Sequence, residues 1–267
     1  MPRTMIDMHC HFLPGIDDGP DTLDLALDMA RMAVADGIYY SVMTPHITPG
    51  QFDNRKNGIR TSFEAFREAL RAAEIPLRIG MGAEVRLDLE VVQMLGRGEV
   101  PYLGSVEGFD ILLLEFPHTF VPAGAERFVE RLLKQNIRPV IAHPERNREI
   151  IQDADKLRPF IDMGCYLQLT AGSLTGDFGR GPRKRARQLL ETNAFKVLAT
   201  DAHNLGLRKP VLSRGLAAAA AIIGEREAEN MVYRNPAQIV FGRRLPAQSL
   251  DRRSLHAHGL SLAAPGA

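Results

Sequence analysis

Residues 5–20 read MIDMHCHFLPGIDDGP. A short apolar strand runs into a turn, with His9 and His11 at its end and Asp17 and Asp18 just beyond. Residues at i and i+2 of a strand share a face, so His9 and His11 can grip one ion together while Cys10 points the other way, toward packing. The fold follows from whether other strands end in the same way.

Apolar runs start at Thr4 (TMIDMH), Ile38 (IYYSVMT), Leu77 (LRIGMGAEV), Phe109 (FDILLLEF), Ile137 (IRPVIAH), Cys165 (CYLQLT) and Phe195 (FKVLATD), which makes seven candidate strands. Several are near-continuously apolar, as buried parallel strands tend to be. Amphipathic stretches lie between them. DTLDLALDMARMAVADG has a capping Asp21 or Thr22 and a stop at Gly37, and TSFEAFREALRAAE pairs Thr61 with Glu64 as a capping box. Strand and helix in strict alternation predict an α/β fold, a closed parallel barrel in one domain over residues 1–245, with an open doubly wound sheet as the alternative. Residues 246–267 read as a loosely ordered tail, and His256 and His258 there are expected in solvent.

Composition narrows the function. Of 267 residues, 45% are hydrophobic and 24% charged, with a formal charge of +1, so no global field draws in nucleic acid or an anionic membrane. Two cysteines, Cys10 and Cys165, are too few for a disulfide framework. No signal-peptide core or membrane-length apolar run is present. The expectation is a cytoplasmic protein with no membrane insertion.

In a parallel barrel all strand C-termini meet on one rim, where barrel enzymes keep their chemistry. The first strand brings His9 and His11, followed by Asp18; the second ends at His46, the third at Glu84, the fourth at Glu115, the fifth at His143 and the seventh at Asp201 and His203. The sixth ends at Gln168 and Thr170, with nothing ionic. Each has a bland reading: a hydrogen-bonded histidine, a turn-capping aspartate, or Glu115 paired with an arginine. Burying so many unpaired carboxylates would cost several kcal/mol each, roughly, so metal binding is the better account. Five imidazoles and four carboxylates exceed the needs of one ion and suit two or three. Nitrogen and oxygen ligands without thiolate favour Mn²⁺, Fe²⁺ or Zn²⁺. Arg146 and Arg208 would hang over this rim and suit a phosphate. Their alternatives are a pair with Glu145 and a solvated loop. Asp53 and Arg55, after His46, are expected to shape the pocket.

DMHCHFLPGIDDGP, TPH, GAEVRLD, LLEFP, AHPERN, IDMGCYLQLTAGSL and ATDAHN together resemble the PHP (polymerase and histidinol phosphatase) superfamily. Within it they are most similar to the CpsB/CapC-type manganese-dependent protein-tyrosine phosphatases of capsule and exopolysaccharide clusters. The resemblance runs in order from about Met5 to Arg243. It implies a distorted seven-stranded (β/α)7 PHP-type barrel with a trinuclear, manganese-dependent centre, within the two or three ions that the ligand count allows, with iron or zinc as the alternatives that ligand chemistry leaves. His9, His11, Glu84 and Asp201 would hold one ion. Glu84, Glu115 and His143 would hold a second, and Asp18, His46 and His203 a third. Arg146 and Arg208 would contact phosphate while a metal-bridging hydroxide attacks phosphorus. The implied partner is a phosphotyrosine-bearing bacterial tyrosine kinase, with homo-oligomerisation left open. The competing readings are a histidinol-phosphate or other small phosphomonoester phosphatase, a TatD-like metal nuclease, and a non-catalytic kinase-binding regulator. A cysteine-based phosphatase is excluded, because neither HCHFLPGID nor GCYLQLTAG supplies the arginine its phosphate loop needs.

Overall fold

The computed structural model of the chain describes residues 4–192 and 194–242. Its strands are β1 (Met5–Cys10), β2 (Ile38–Met43), β3 (His46–Ile47), β4 (Arg78–Met81), β5 (Glu84–Arg86), β6 (Gly104–Val106), β7 (Phe109–Glu115), β8 (Ile137–Ala142), β9 (Tyr166–Thr170) and β10 (Phe195–Ala199). Its helices are α1 (Leu23–Asp36), α2 (Lys56–Ala72), α3 (Leu89–Gly96), α4 (Ala125–Lys134), α5 (Arg148–Gln152), α6 (Arg158–Asp162), α7 (Ala171–Thr175), α8 (Arg180–Glu191), α9 (Ser213–Ile223), α10 (Glu225–Glu229) and α11 (Asn235–Phe241).

The strands form two parallel sheets rather than one closed ladder. The first runs β1-β2-β4 and the second β10-β9-β8-β7-β5-β3, with β6 antiparallel on β7. The expected second and third strands are each broken. Pro45 has no N–H to donate, so pairing stops after Met43 and resumes at His46. Single hydrogen bonds carry the connection past the gap: Gly82 N donates to Met43 O at 2.8 Å and Glu84 N to Pro45 O at 3.1 Å. At the other junction, Asp201 N donates to His9 O at 2.8 Å and His11 N to Ala202 O at 2.9 Å. Asp7 reinforces this seam, its carboxylate accepting from Thr200 N at 3.0 Å and from the Thr200 hydroxyl. Burial pushes the Asp7 carboxyl up to about 6.

Helix α1 begins and ends as expected: Thr22 accepts from Leu25 N, and Gly37 takes a left-handed φ of 97°. Helix α2 does not. It starts at Lys56, so Thr61 lies inside it and donates to Asn57 O at 3.1 Å instead of capping. Apolar residues form two clusters. The larger lies under the helices, where Met29, Phe66, Val129 and Leu190 pack on the outer faces of the sheets. The smaller contains Ile6, Met8, Ile111, Leu113, Val140, Val197 and Ala199, together with Tyr233, Ala237 and Ile239 from the C-terminal segment. Alternation places Ile111, Leu113 and Glu115 on one face of β7, so the strand passes from an apolar plug to an acidic tip. Both cysteines are buried and free; the Cys10 thiol donates to Val42 O. No helix among the described residues is long and apolar enough to cross a membrane. The predicted tail, with His256 and His258, lies outside the described residues.

Candidate metal centre

Strand direction gathers the site. All strands of both sheets except β6 run parallel; seven of the nine expected ligands come from strand C-terminal ends and the turns that follow, while His46 and Glu84 open β3 and β5 just past the breaks after β2 and β4. Their donor atoms fall in overlapping groups, within each of which they lie within 4.8 Å of one another: His11, Asp18, His46 and His203; His9, Glu84, His143 and Asp201; and His46, Glu84 and Glu115.

Glu84 sits at the middle, fully buried. Its Oε2 lies 3.2 Å from His9 Nε2, 3.4 Å from His11 Nε2 and 3.2 Å from His46 Nδ1, and its Oε1 lies 2.7 Å from His143 Nε2. His9 Nε2 is also 3.3 Å from Asp201 Oδ1. Asp18 Oδ1 lies 3.3 Å from His46 Nε2 and 3.1 Å from His203 Nε2. Glu115 is looser, 4.0 Å from His143 Nε2, and accepts from Arg86 Nε at 2.7 Å. The bland pairing of Glu115 with an arginine is therefore present alongside its place in the cluster. These groups place His11 with Asp18, His46 and His203, and His143 with His9, Glu84 and Asp201, a division different from the sets implied by resemblance.

The donor chemistry fits cations. His9 Nε2 and His11 Nε2 face each other at 3.1 Å, a contact in which at most one can usefully donate. Glu84 Oε2, His46 Nδ1 and His203 Nε2 are buried and find no aligned hydrogen-bond partner among the described residues. Buried polar atoms rarely stand unpaired, and a cation satisfies several lone pairs at once. Electrostatics agree. Burial opposes charge on His9, but Glu84 and Asp201 overcome it and raise His9 to about 9. Burial likewise opposes charge on His46, and Glu84 and Asp18 lift it to about 9. Burial and the neighbouring His11 push His203 down to about 4. Despite burial, the surrounding imidazoles hold Glu84 well below the usual carboxylate range. His9 and Arg208 do the same for Asp201.

Two strand ends bend sharply to deliver their side chains. His143 has φ +30° and Asp201 φ +53°, left-handed values that cost a non-glycine residue about 1–3 kcal/mol each. Gly19 is required for a different reason: a Cβ there would lie 2.4 Å from His11 O, so only glycine lets the Asp17–Asp18 turn close on the strand.

Outside the nine, side chains orient the ligands. His11 Nδ1 contacts Asp17 Oδ2 at 2.7 Å, and Asp17 also accepts from His46 N at 3.1 Å. Gln168 Oε1 lies 3.0 Å from His9 Nδ1 and accepts from His143 N at 3.2 Å, so the sixth strand contributes after all. Sequence reasoning passed over both: Asp17 read as half of a turn, and Gln168 is neutral.

Arg146 and Arg208 converge on Asp201, Arg146 through Oδ2 and Arg208 through Oδ1 at 2.8 Å. Arg146 does not pair with Glu145, which is buried and accepts from Ser173 Oγ at 2.7 Å. The Arg146 guanidinium lies over the Phe178 ring, 4.3 Å from its centroid. Both arginines, with Asp18, His46, Glu84, Arg86 and His143, line an opening of about 150 Å³. Asp53 and Arg55 do not shape it. Asp53 accepts from Gly50 N in its own turn, and Arg55 pairs with Glu90 and Glu99. Phe52 lines the opening instead, stacked on His46 at 5.5 Å and 12°.

Comparison with known proteins follows the same line. A family model described as "Capsular polysaccharide synthesis, CpsB/CapC" matches residues 5–241. The tyrosine-protein phosphatase YwqE of Bacillus subtilis (strain 168) is 35% identical over 257 residues, covering 94% of this chain and 98% of that protein. The tyrosine-protein phosphatase CpsB of Streptococcus pneumoniae is 29% identical over 242 residues, 89% of this chain and 98% of that one. A solved structure from work on YwqE of B. subtilis and CpsB of S. pneumoniae, described as "unique metal-dependent tyrosine phosphatases", superposes with a TM-score of 0.82 at 34% identity, covering 93% of this chain and all of that one. The phosphotriesterase homology protein of Escherichia coli shares the fold alone, with TM-score 0.57 at 12% identity over 90% of this chain and 99% of that one.

Proposed function

This chain belongs to the CpsB/CapC family, and from that premise we propose that it is a metal-dependent protein-tyrosine phosphatase acting on a bacterial tyrosine kinase that controls capsular or exopolysaccharide synthesis. One observation carries the reading. Nine imidazole and carboxylate side chains, drawn from six of the seven expected strand ends, crowd one rim, with two arginines beside the opening. We read the two sheets as one distorted seven-stave barrel of residues 1–245, acting in the cytoplasm as a single catalytic unit.

His9, His11, Glu84 and Asp201 would hold one cation, Glu84, Glu115 and His143 a second, and Asp18, His46 and His203 a third, with manganese preferred over iron or zinc. Bound there, divalent ions supply a water acidic enough to ionise near neutral pH and positive charge toward phosphate oxygens. Arg146 and Arg208 take the non-bridging oxygens and stabilise their charge as the P–O bond breaks. Tyrosine leaves as a phenolate, a fairly good leaving group, so the site needs little acid assistance. Phe52, flat against His46, walls the opening on one side.

The test is a substrate panel: p-nitrophenyl phosphate, a phosphotyrosine peptide, histidinol phosphate and single-stranded DNA, each with and without chelator. Turnover of the first two, lost with chelator and restored by Mn²⁺, is expected. Hydrolysis of DNA but not of the phosphotyrosine peptide would overturn the substrate, and turnover that survives chelation would overturn the metal.

Gln168 enters as a positioning residue, since it holds His9 and the His143 backbone in place. Gln168→Ala is expected to weaken Mn²⁺ binding by about 10–100-fold, the usual effect of losing a partner of a metal ligand. Titration calorimetry measures it, and Mn²⁺ affinity equal to wild type would refute the role.

A further inference from the structure

Arg208 faces two cavities. One is the metal-centre opening, and the other is a larger cleft of about 420 Å³ beside it. The cleft floor comes from helices α7 and α9, and Phe178, the ring beneath Arg146, forms part of its wall. A substrate whose phosphate reached Arg146 and Arg208 would therefore lay its neighbouring residues along this cleft.

Charge in the cleft is lopsided. Its lining holds three cations, Arg208, Lys209 and Arg214, against one carboxylate, Asp177. Arg208, which contacts Asp201 at 2.8 Å, belongs to the phosphate end of the cleft. Asp177 accepts from the Thr175 hydroxyl at 2.8 Å. Lys209 and Arg214 are exposed and make no ion pair among the described residues. Behind α7, the stem of Arg183 on α8 lies against Gly176, where a Cβ would come within 3.3 Å of Arg183 Cδ, and adds another cation on that side. The whole chain is nearly neutral at +1, so this excess is local. At the rim stands Leu207, 88% exposed, an apolar side chain with nothing of its own to cover it.

We propose that this cleft docks the acidic residues flanking the phosphotyrosine of the protein substrate, with Lys209 and Arg214 as the specificity determinants and Leu207 as an apolar contact. The proposal rests on the phosphatase reading and names the class of sequence that reading should favour. A patch of exposed cations steers the encounter with an acidic segment and rejects like charge.

Two phosphotyrosine peptides, one with glutamates on both sides of the phosphotyrosine and one with glutamines there, separate the outcomes on the full-length protein. With chelator present, fluorescence anisotropy is expected to show the acidic peptide bound at least about tenfold more tightly at low salt, with the difference closing as ionic strength rises. With Mn²⁺, kcat/KM should follow the same order. In Lys209→Glu/Arg214→Glu the preference should vanish or invert, while hydrolysis of p-nitrophenyl phosphate, which has no flanking chain, reports whether the variant is intact. Equal binding of both peptides by the wild-type protein, or an unchanged preference in the double variant, would overturn the cleft's role. Absence of turnover on p-nitrophenyl phosphate and both peptides would instead strike the phosphatase reading, and the anisotropy comparison would still decide the cleft.

Discussion

Glu84→Gln is expected to abolish turnover and strip bound metal while the chain stays folded. Among the described residues, Glu84 is the one carboxylate within 3.5 Å of four imidazoles, His9, His11, His46 and His143. Its amide replacement keeps the shape and removes the charge. Two buried rings, His9 and His46, owe much of their raised proton affinity to that charge, so the same substitution lowers the negative potential that would attract cations. The loss should exceed the roughly 10–100-fold that follows removal of a residue that only supports a ligand. Elemental analysis and steady-state kinetics on the purified variant measure both effects, with circular dichroism as the check on folding. Wild-type metal content in Glu84→Gln would dismiss its central place.

The second large effect belongs to the arginines. Arg208→Ala and Arg146→Ala should each keep their metal yet lose about 10²–10³-fold in kcat/KM, the scale seen when a donor to developing negative charge is removed. Both guanidiniums already lie within reach of one another through the two oxygens of Asp201, so they are held in place before any anion arrives. Inhibition by inorganic phosphate gives an independent reading, because a residue that only shaped the fold would not change it selectively. Phosphate inhibition as strong as in wild type, in either variant, would remove that arginine from the phosphate site. Lysine at position 208 should recover only part of the loss, since it lacks the planar fork.

The rim was legible because parallel strands turn a one-dimensional pattern into a place. The last residues of apolar runs separated by helices must converge, and His9, His46, Glu84, Glu115, His143 and Asp201 do converge. What escaped notice has physical reasons. Pro45, without an N–H, splits IYYSVMT from the TPH after it although the side-chain pattern reads through, and LRIGMGAEV parts at Gly82–Ala83 beside that break. Strand β6 is three residues long, too short for periodicity, and it exists because β7 offers an edge to pair with. Thr61 and Glu64 have the spacing of a capping box, but the helix starts earlier, at Lys56, which leaves Thr61 inside it. Gln168 carries no charge and so gave no signal, although it touches two ligands. Asp53 and Arg55 follow His46 closely in sequence, but Arg55 is held by Glu90 in α3 and Glu99 just after it, away from the lining of the opening.

The seam where β1 meets the end of β10 closes the chain on itself with backbone hydrogen bonds around His9, Asp201 and Ala202. An ion gripped by His9 and Asp201 together would behave there as a removable cross-link between nearly opposite ends of the described polypeptide, tethering a loop as long as most of the protein. Cross-links that bridge so much chain restrict the unfolded ensemble most, and whatever binds the native form alone protects it by mass action. Loading the centre would thus be expected to lengthen the molecule's survival under heat and proteases as well as to enable its work.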